Sequence, residues 1–239
     1  PICPKQCRYH PVLFLDIWLL EGSNVDIVLA NPYSFSEIKP ESVDIVISTS
    51  TFEHVEFFWL SFLEILKILK ENNVKATFYL VGKDIARNPI QTNLIIEDEH
   101  EIGNHSYTHE KMILKSINFV SEEIEKTNQE IRNIGYAKSI TFRPPYGKKL
   151  VILPYYLNEN DILSVTWDVE PDSALSLDSS PEDLVDYTLK HTYPGSIILM
   201  HVMFESRKNS MKSISGIIKG LKLEGYRFVT VSELLSING

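Results

Sequence analysis

Asn104-His105-Ser106-Tyr107-Thr108-His109 follows a short apolar run containing Ile102 and Gly103, and two of the chain's seven histidines stand in it, four positions apart. On one helical turn, or where a strand rolls into a loop, such a pair can offer both ring nitrogens to one metal ion at about 2.0–2.1 Å. The same spacing also occurs on solvated helix faces, so the surrounding chain has to decide its meaning.

Outward from this stretch, short β-rich runs alternate with helical ones. Residues 12–18, 24–30, 43–48, 74–82, 139–142, 162–167, 196–201 and 228–231 read as strands. Ile117, Val120, Ile124, Ile131 and Ile134 keep helical spacing up to a stop at Gly135. Ser180-Pro181-Glu182-Asp183 is an N-cap, an N1 proline and two first-turn acids. Met211, Ile214, Ile217, Ile218 and Leu221 repeat the helical pattern and end at Gly225. Strand-helix alternation predicts an α/β fold with a mostly parallel sheet, closed as a barrel or open and doubly wound. In either case functional residues collect at the C-terminal ends of strands.

The 239 residues are 44% hydrophobic, enough for a sizeable core in one α/β barrel or two small domains. A net charge of -9 argues against nucleic acid as a partner, since a phosphate backbone calls for a basic stripe. No apolar run approaches the roughly 20 residues of a membrane span, and no signal-peptide pattern stands at the start. The chain begins at Pro1 without an initiator Met and reads as a fragment or a processed form. Cys3 and Cys7, with His10 nearby, fall short of the four ligands of a zinc knuckle and read as free thiols in a loose terminus spanning 1–11.

Three further stretches carry chemistry at strand ends. Arg143-Pro144-Pro145-Tyr146-Gly147 follows the run at 139–142; its prolines stiffen the loop, and an Arg there can orient a carboxylate by bidentate contact. Trp167-Asp168-Val169-Glu170-Pro171-Asp172 supplies carboxylates and an aromatic wall. The apolar run at 196–201 ends in His201, where a general acid or base can face a pocket.

With the order Lys75 to Gly82, His105 to His109, Arg143 to Gly147, Thr166 to Asp172, Ile197 to His201 and Gly225 to Val231, the chain from about residue 73 onward resembles the polysaccharide deacetylase family. That resemblance implies an irregular (β/α) barrel over 72–239 and metal-dependent hydrolysis of N-acetyl, sometimes O-acetyl, groups on an acetylated polysaccharide or oligosaccharide. It implies that His105 and His109 bind a divalent metal, usually zinc. By the same matching, Tyr146 lends its N–H to the oxyanion, Arg143 orients the catalytic base and His201 protonates the leaving amine. One of Asp168, Glu170 and Asp172 holds His201 or Arg143 in place, and Pro145, Trp167 and Leu199 line the substrate groove. The family's substrates usually lie in the cell envelope, which favours an extracytoplasmic site by analogy.

The family's first motif, Thr-Phe-Asp-Asp, supplies the base and the third metal ligand; here the corresponding stretch is Thr51-Phe52-Glu53-His54. Glu53 then reads as the base and His54 as the third ligand, although Glu is a methylene longer than Asp and catalytic geometry tolerates little displacement. A competing reading treats residues 12–71 as an atypical β/α segment. About 15–71 resembles the middle of a class I S-adenosylmethionine-dependent methyltransferase, with Asp16 at the ribose position and Glu53-His54 after the fourth strand. The Gly-rich loop that should precede Asp16 is absent, so such a fragment should not bind the cofactor. The expectations are therefore a deacetylase with a diverged first motif, an inactive carbohydrate-binding pseudoenzyme, or a methyltransferase-like fragment fused to a deacetylase domain.

Overall fold

The computed structural model describes residues 46–49, 58–202 and 207–237. Cys3, Cys7, His10, Asp16, Glu53 and His54, and the strands read at 12–18 and 24–30, lie outside them.

Four strands form one sheet in the order β3-β2-β1-β4, with β1 at Val46–Thr49, β2 at Thr77–Leu80, β3 at Glu101–Asn104 and β4 at Leu199–Met200. Every pairing is parallel, with Ile47 opposite Phe78, Phe78 opposite Ile102 and Ile47 opposite Met200. Single parallel bridges extend the strip at both edges: Asn104 to Phe142 and Phe142 to Ser164 on one side, Val169 to Ile198 on the other. The two outer edges thus belong to one short segment, 164–169, and the strip curls into an irregular (β/α) barrel. A parallel sheet is covered on both faces. Accordingly Thr77, Phe78, Tyr79 and Leu80 are all buried.

Helix α1 (Phe58–Glu71) follows β1 and buries Phe62, Ile65, Leu66 and Leu69 at helical spacing. These residues join Phe78, Ile102, Ile214, Ile217 and Ile218 in the largest apolar cluster. Helices α2 (Gly82–Arg87) and α3 (Pro89–Glu97) connect β2 to β3. Helix α4 (Ile117–Asn133) is N-capped by Ser116 and packs Val120 and Ile124 beneath Phe142, against Leu153 and Leu157 of α5 (Ile152–Glu159). After the short α6 (Pro171–Ala174) come α7 (Pro181–His191) and α8 (Lys208–Leu223).

The helix signals read from the sequence are present in α4, α7 and α8. Ser180 and Asp183 form a reciprocal capping box at the start of α7, with Pro181 at the first position. Gly135 and Gly225 follow α4 and α8 at φ 92 and φ 88. Ile117 departs from its expected place in the apolar stripe, being 43% exposed.

The strand expectations need more correction. The run at 74–82 yields only Thr77–Leu80, because Gly82 already starts α2 and its N–H goes to the Ser106 carbonyl. Runs 139–142 and 162–167 contribute one bridge residue each, Phe142 and Ser164. Run 228–231 forms no strand: Thr230 caps α9 (Val231–Ile237), its N–H on Glu233 Oε2 at 2.8 Å and its Oγ1 accepting from the Glu233 N–H at 3.4 Å. Thr230-x-x-Glu233 is a capping-box spacing that outweighs the β propensity of Phe228 and Val229. Strand β3 was not among the runs read as strands. Among the described residues no helix is long and apolar enough to cross a membrane.

Candidate active site

Because the sheet is parallel, the residues that follow β3, Phe142 and β4 emerge on one rim. On β3, the Asn104 side chain donates to the Ile124 carbonyl and to Asn128 Oδ1 on α4, each at 2.8 Å, while its own Oδ1 accepts the Ser106 N–H at 2.8 Å. The strand therefore turns abruptly. Ser106 and His109 both adopt left-handed backbone, φ 66 and φ 61, and Ser106 Oγ accepts the His109 N–H at 3.0 Å. The His-x3-His pair is thus a strand-to-loop arrangement and not a helical turn. Its two imidazole centroids lie 4.8 Å apart at 59°.

His105 is 2% exposed, and its Nδ1 lies 2.8 Å from the Arg143 carbonyl oxygen. A carbonyl only accepts, so Nδ1 carries the proton and Nε2 keeps the lone pair. Burial, with His109 nearby, pushes the His105 pKa well below the ordinary value. Burial also takes His109 down to about 4, helped by Lys83 and His201. Both rings are neutral, the form that ligates a metal.

Arg143 is fully buried. Its backbone N–H donates to Asn104, while Nε and Nη2 donate to the carbonyls of Val165 and Thr166 at 3.3 and 3.1 Å. The guanidinium lies 4.1 Å from the Tyr79 ring centroid and 5.5 Å from that of Trp167. Nη1 is buried and has no hydrogen-bond partner among the described residues. Burial lowers the Arg143 pKa to about 10 and raises that of Tyr79 to about 12.

The next three residues form a 3-10 turn, Pro145–Gly147, in which Pro145 is buried and Tyr146 adopts φ 59, ψ 15. Gly147 sits at φ 65, and a Cβ there would lie 2.9 Å from Trp167 Cη2, so only glycine lets the turn meet the indole this closely. The Tyr146 ring packs 4.9 Å from the His109 ring. Trp167 is half-buried, with its Nε1 donating to Glu170 Oε2 at 2.7 Å.

The three acids separate by geometry. Asp172, 2% exposed, takes the His201 N–H on Oδ2 at 2.7 Å and meets His201 Nδ1 with Oδ1 at 3.2 Å. Burial opposes its charge, but the hydrogen bonds and charge of His201 outweigh that and hold its pKa below the ordinary value. Glu170 Oε1 is 3.7 Å from the same Nδ1. Asp168 turns elsewhere, accepting from Tyr193 OH and the Ile197 N–H at 2.9 Å each, where it secures the entry to β4. Leu199 is 1% exposed within β4.

Glu170, Asp172 and His201 also form a group that could hold a metal ion, with their ligand atoms within 4.8 Å of one another. Two of the carboxylate oxygens are already engaged by Trp167 and by the His201 N–H. Glu123 was missed in the sequence. The available signal was an acid three residues after Val120, on the apolar face of α4.

Residues 51–165 match the family described as polysaccharide deacetylase. That stretch resembles a polysaccharide deacetylase domain. A peptidoglycan-N-acetylglucosamine deacetylase from Bacillus cereus is 29% identical over 175 residues, covering 72% of this chain and 80% of the relative. Another from the same organism is 32% identical, covering 72% of this chain and 62% of its own length. A carbohydrate esterase family 4 pseudoenzyme from Bacillus anthracis superposes with TM-score 0.69 at 28% identity, covering 83% of this chain and 66% of that one. The chain thus has the α/β fold of hydrolases named for removing acetyl groups from polysaccharides, and a pseudoenzyme stands among its structural neighbours.

These matches lend no support to the methyltransferase resemblance. The deacetylase match begins at Thr51, so Thr51-Phe52-Glu53-His54 falls inside it, and Val46–Thr49 is paired between β2 and β4 of the same sheet.

The residues of the domain fit a divalent ion. His105 and His109 are adjacent neutral imidazoles, and the carbonyl bond at Nδ1 of His105 is the kind of outer-shell contact that orients a ligating ring.

Proposed function

We propose that this chain is a zinc-dependent hydrolase that removes N-acetyl groups from an N-acetylhexosamine polysaccharide of the peptidoglycan type. The observation that carries the reading is the meeting of the His105 and His109 rings, 4.8 Å apart, on the rim that also bears Arg143 and the Asp172–His201 pair. In this reading His105, through Nε2, and His109 are metal ligands, with His54 as the third. A divalent ion held there supplies Lewis acidity at the acetyl carbonyl and acidifies a water.

The chain's own groups divide the remaining work. In this reading the buried Arg143 guanidinium orients the catalytic base, and Glu53 is that base and takes the water's proton. Tyr146, held at φ 59 by its turn, offers its N–H to the acetyl oxygen as charge develops. Asp172 keeps the His201 Nδ1 proton in place, so that Nε2 handles the proton delivered to the departing amine. Trp167 and Pro145 form the apolar wall beside the sugar.

The test is zinc or cobalt titration together with acetate release from N-acetylglucosamine oligomers. A His105→Ala, His109→Ala double variant that binds metal as tightly as the parent overturns the ligand assignment.

A second reading, an oligosaccharide-binding pseudoenzyme, is favoured by Glu53-His54 standing where the family carries two aspartates and by the similarity to a pseudoenzyme. It predicts oligomer binding without acetate release.

A further inference from the structure

We infer that Glu123 of α4 is the positioning residue of the His105–His109 loop, setting metal affinity without itself touching the metal; this rests on the reading of the two histidines as ligands. Glu123 is 6% exposed and shares the buried face of α4 with Val120, Ile124, Thr127 and Ile131. A carboxylate there adds nothing to apolar packing, and burying it costs free energy unless its oxygens are bonded.

Those bonds all go to the segment between the two imidazoles. Oε2 accepts the N–H groups of Tyr107 and Thr108 at 3.0 and 2.8 Å, and Oε1 accepts from Thr108 Oγ1 at 3.0 Å. The loop needs such a hold. Ser106 and His109 are non-glycine residues in left-handed backbone, a conformation that persists only where the surroundings over-determine it. Ser106 is tied back to Asn104 and forward to His109, and the Ser106 and Tyr107 carbonyls accept the N–H groups of Gly82 and Lys83, so Glu123 supplies the acceptors for the N–H groups of the loop's middle, Tyr107 and Thr108. Without the carboxylate, two peptide N–H groups and a hydroxyl lose their acceptor, and the chain between the rings can relax toward ordinary backbone. The rings would then separate from the spacing a single ion requires.

The experiment compares parent, Glu123→Ala and Glu123→Gln by zinc competition against a chromophoric chelator, by the visible absorption of the cobalt-loaded protein and by thermal melting of the metal-free protein. Glu123→Ala is expected to bind zinc about 10- to 100-fold more weakly with an altered cobalt band, while Glu123→Gln, whose amide oxygen still accepts both peptide N–H groups, stays within about 3-fold of the parent. If Glu123→Ala does not fold, Glu123→Asp, which withdraws the carboxylate by one methylene, is measured in its place with the same expectation. Variants that melt earlier yet keep the parental affinity and cobalt band overturn the inference and leave the deacetylase reading standing. A parent that binds neither zinc nor cobalt overturns that reading, and the inference falls with it.

Discussion

His105 Nδ1 lies 2.8 Å from the main-chain carbonyl oxygen of Arg143, so the strand end bearing one motif orients the ring of another. The contact is with the backbone, and this separates two consequences of changing Arg143. Replacement by Gln leaves the carbonyl in place while removing the guanidinium beside Tyr79 and Trp167. Zinc affinity is expected to stay within about threefold of the parent, while kcat for acetate release falls about 100-fold or more through misplacement of the base. A parallel loss of zinc affinity counts against the backbone origin of the ring's orientation.

Asp172→Asn discriminates between the two places where an ion can sit. With His105 and His109 as ligands, the substitution leaves zinc affinity unchanged and lowers kcat by about 100- to 10,000-fold, because an amide cannot hold the His201 Nδ1 proton as the carboxylate does. If the ion sits instead on Glu170, Asp172 and His201, the same variant loses zinc in the competition titration.

Glu53 bears on whether the domain turns over at all. Glu53→Asp restores the side-chain length used by the family, and kcat for acetate release is expected to rise about tenfold or more at similar KM. Steady-state assay of N-acetylglucosamine oligomers checks this, and silence from both proteins supports the pseudoenzyme reading.

Asp84 links stability to pH. Its side chain is 1% exposed, neither carboxyl oxygen has a hydrogen-bond partner among the described residues, and Arg87 Nη1 stands 3.9 Å away. Burial raises its pKa from 3.8 to about 6, against the weaker pull of Lys83 and Arg87. The folded chain therefore holds this proton more tightly than the unfolded chain. Stability from this group is present below pH 4, is lost as pH rises toward 6, and stays lost above it, a cost of about 3 kcal/mol. Asp84→Asn is expected to raise the melting temperature at pH 8 and to change it little at pH 4, as read by circular dichroism. An equal shift at both values sinks the assignment.

His100 works in the opposite direction over a neighbouring range. Its Nδ1 accepts the Ala76 N–H at 3.2 Å, and burial, with Lys75 nearby, lowers its pKa to about 4. Here the unfolded chain binds the proton more tightly, so stability is complete above about pH 6.5 and falls as pH drops toward 4. His100→Gln is expected to flatten the acid limb of a stability-versus-pH curve, and an unchanged limb removes His100 as its cause.

Local chemistry was legible wherever local chemistry decides. The α7 capping box needs only Ser180, Pro181 and Asp183, and the stops after α4 and α8 need only a glycine that accepts φ near 90°, as Gly135 and Gly225 do. The ordered rim motifs were legible as well, because side chains at the ends of successive parallel strands must face one another whatever the helices between them do.

Strand lengths were not legible. Phe142 and Ser164 pair through single bridges inside runs with full β character, because closure of a curled strip, and not propensity, decides how far each run stays paired. Nor do the residues alone distinguish Asp168, Glu170 and Asp172. All three lie within five positions, and it is the route of the chain past Ile197 and His201 that sends Asp168 to β4 and Asp172 to the imidazole. The sequence by itself determined that two histidines stand four apart after an apolar run. Only the tertiary structure decided that they share one side of a loop, since the acceptors that bend that loop, Asn104 on β3 and Glu123 on α4, act across packed elements.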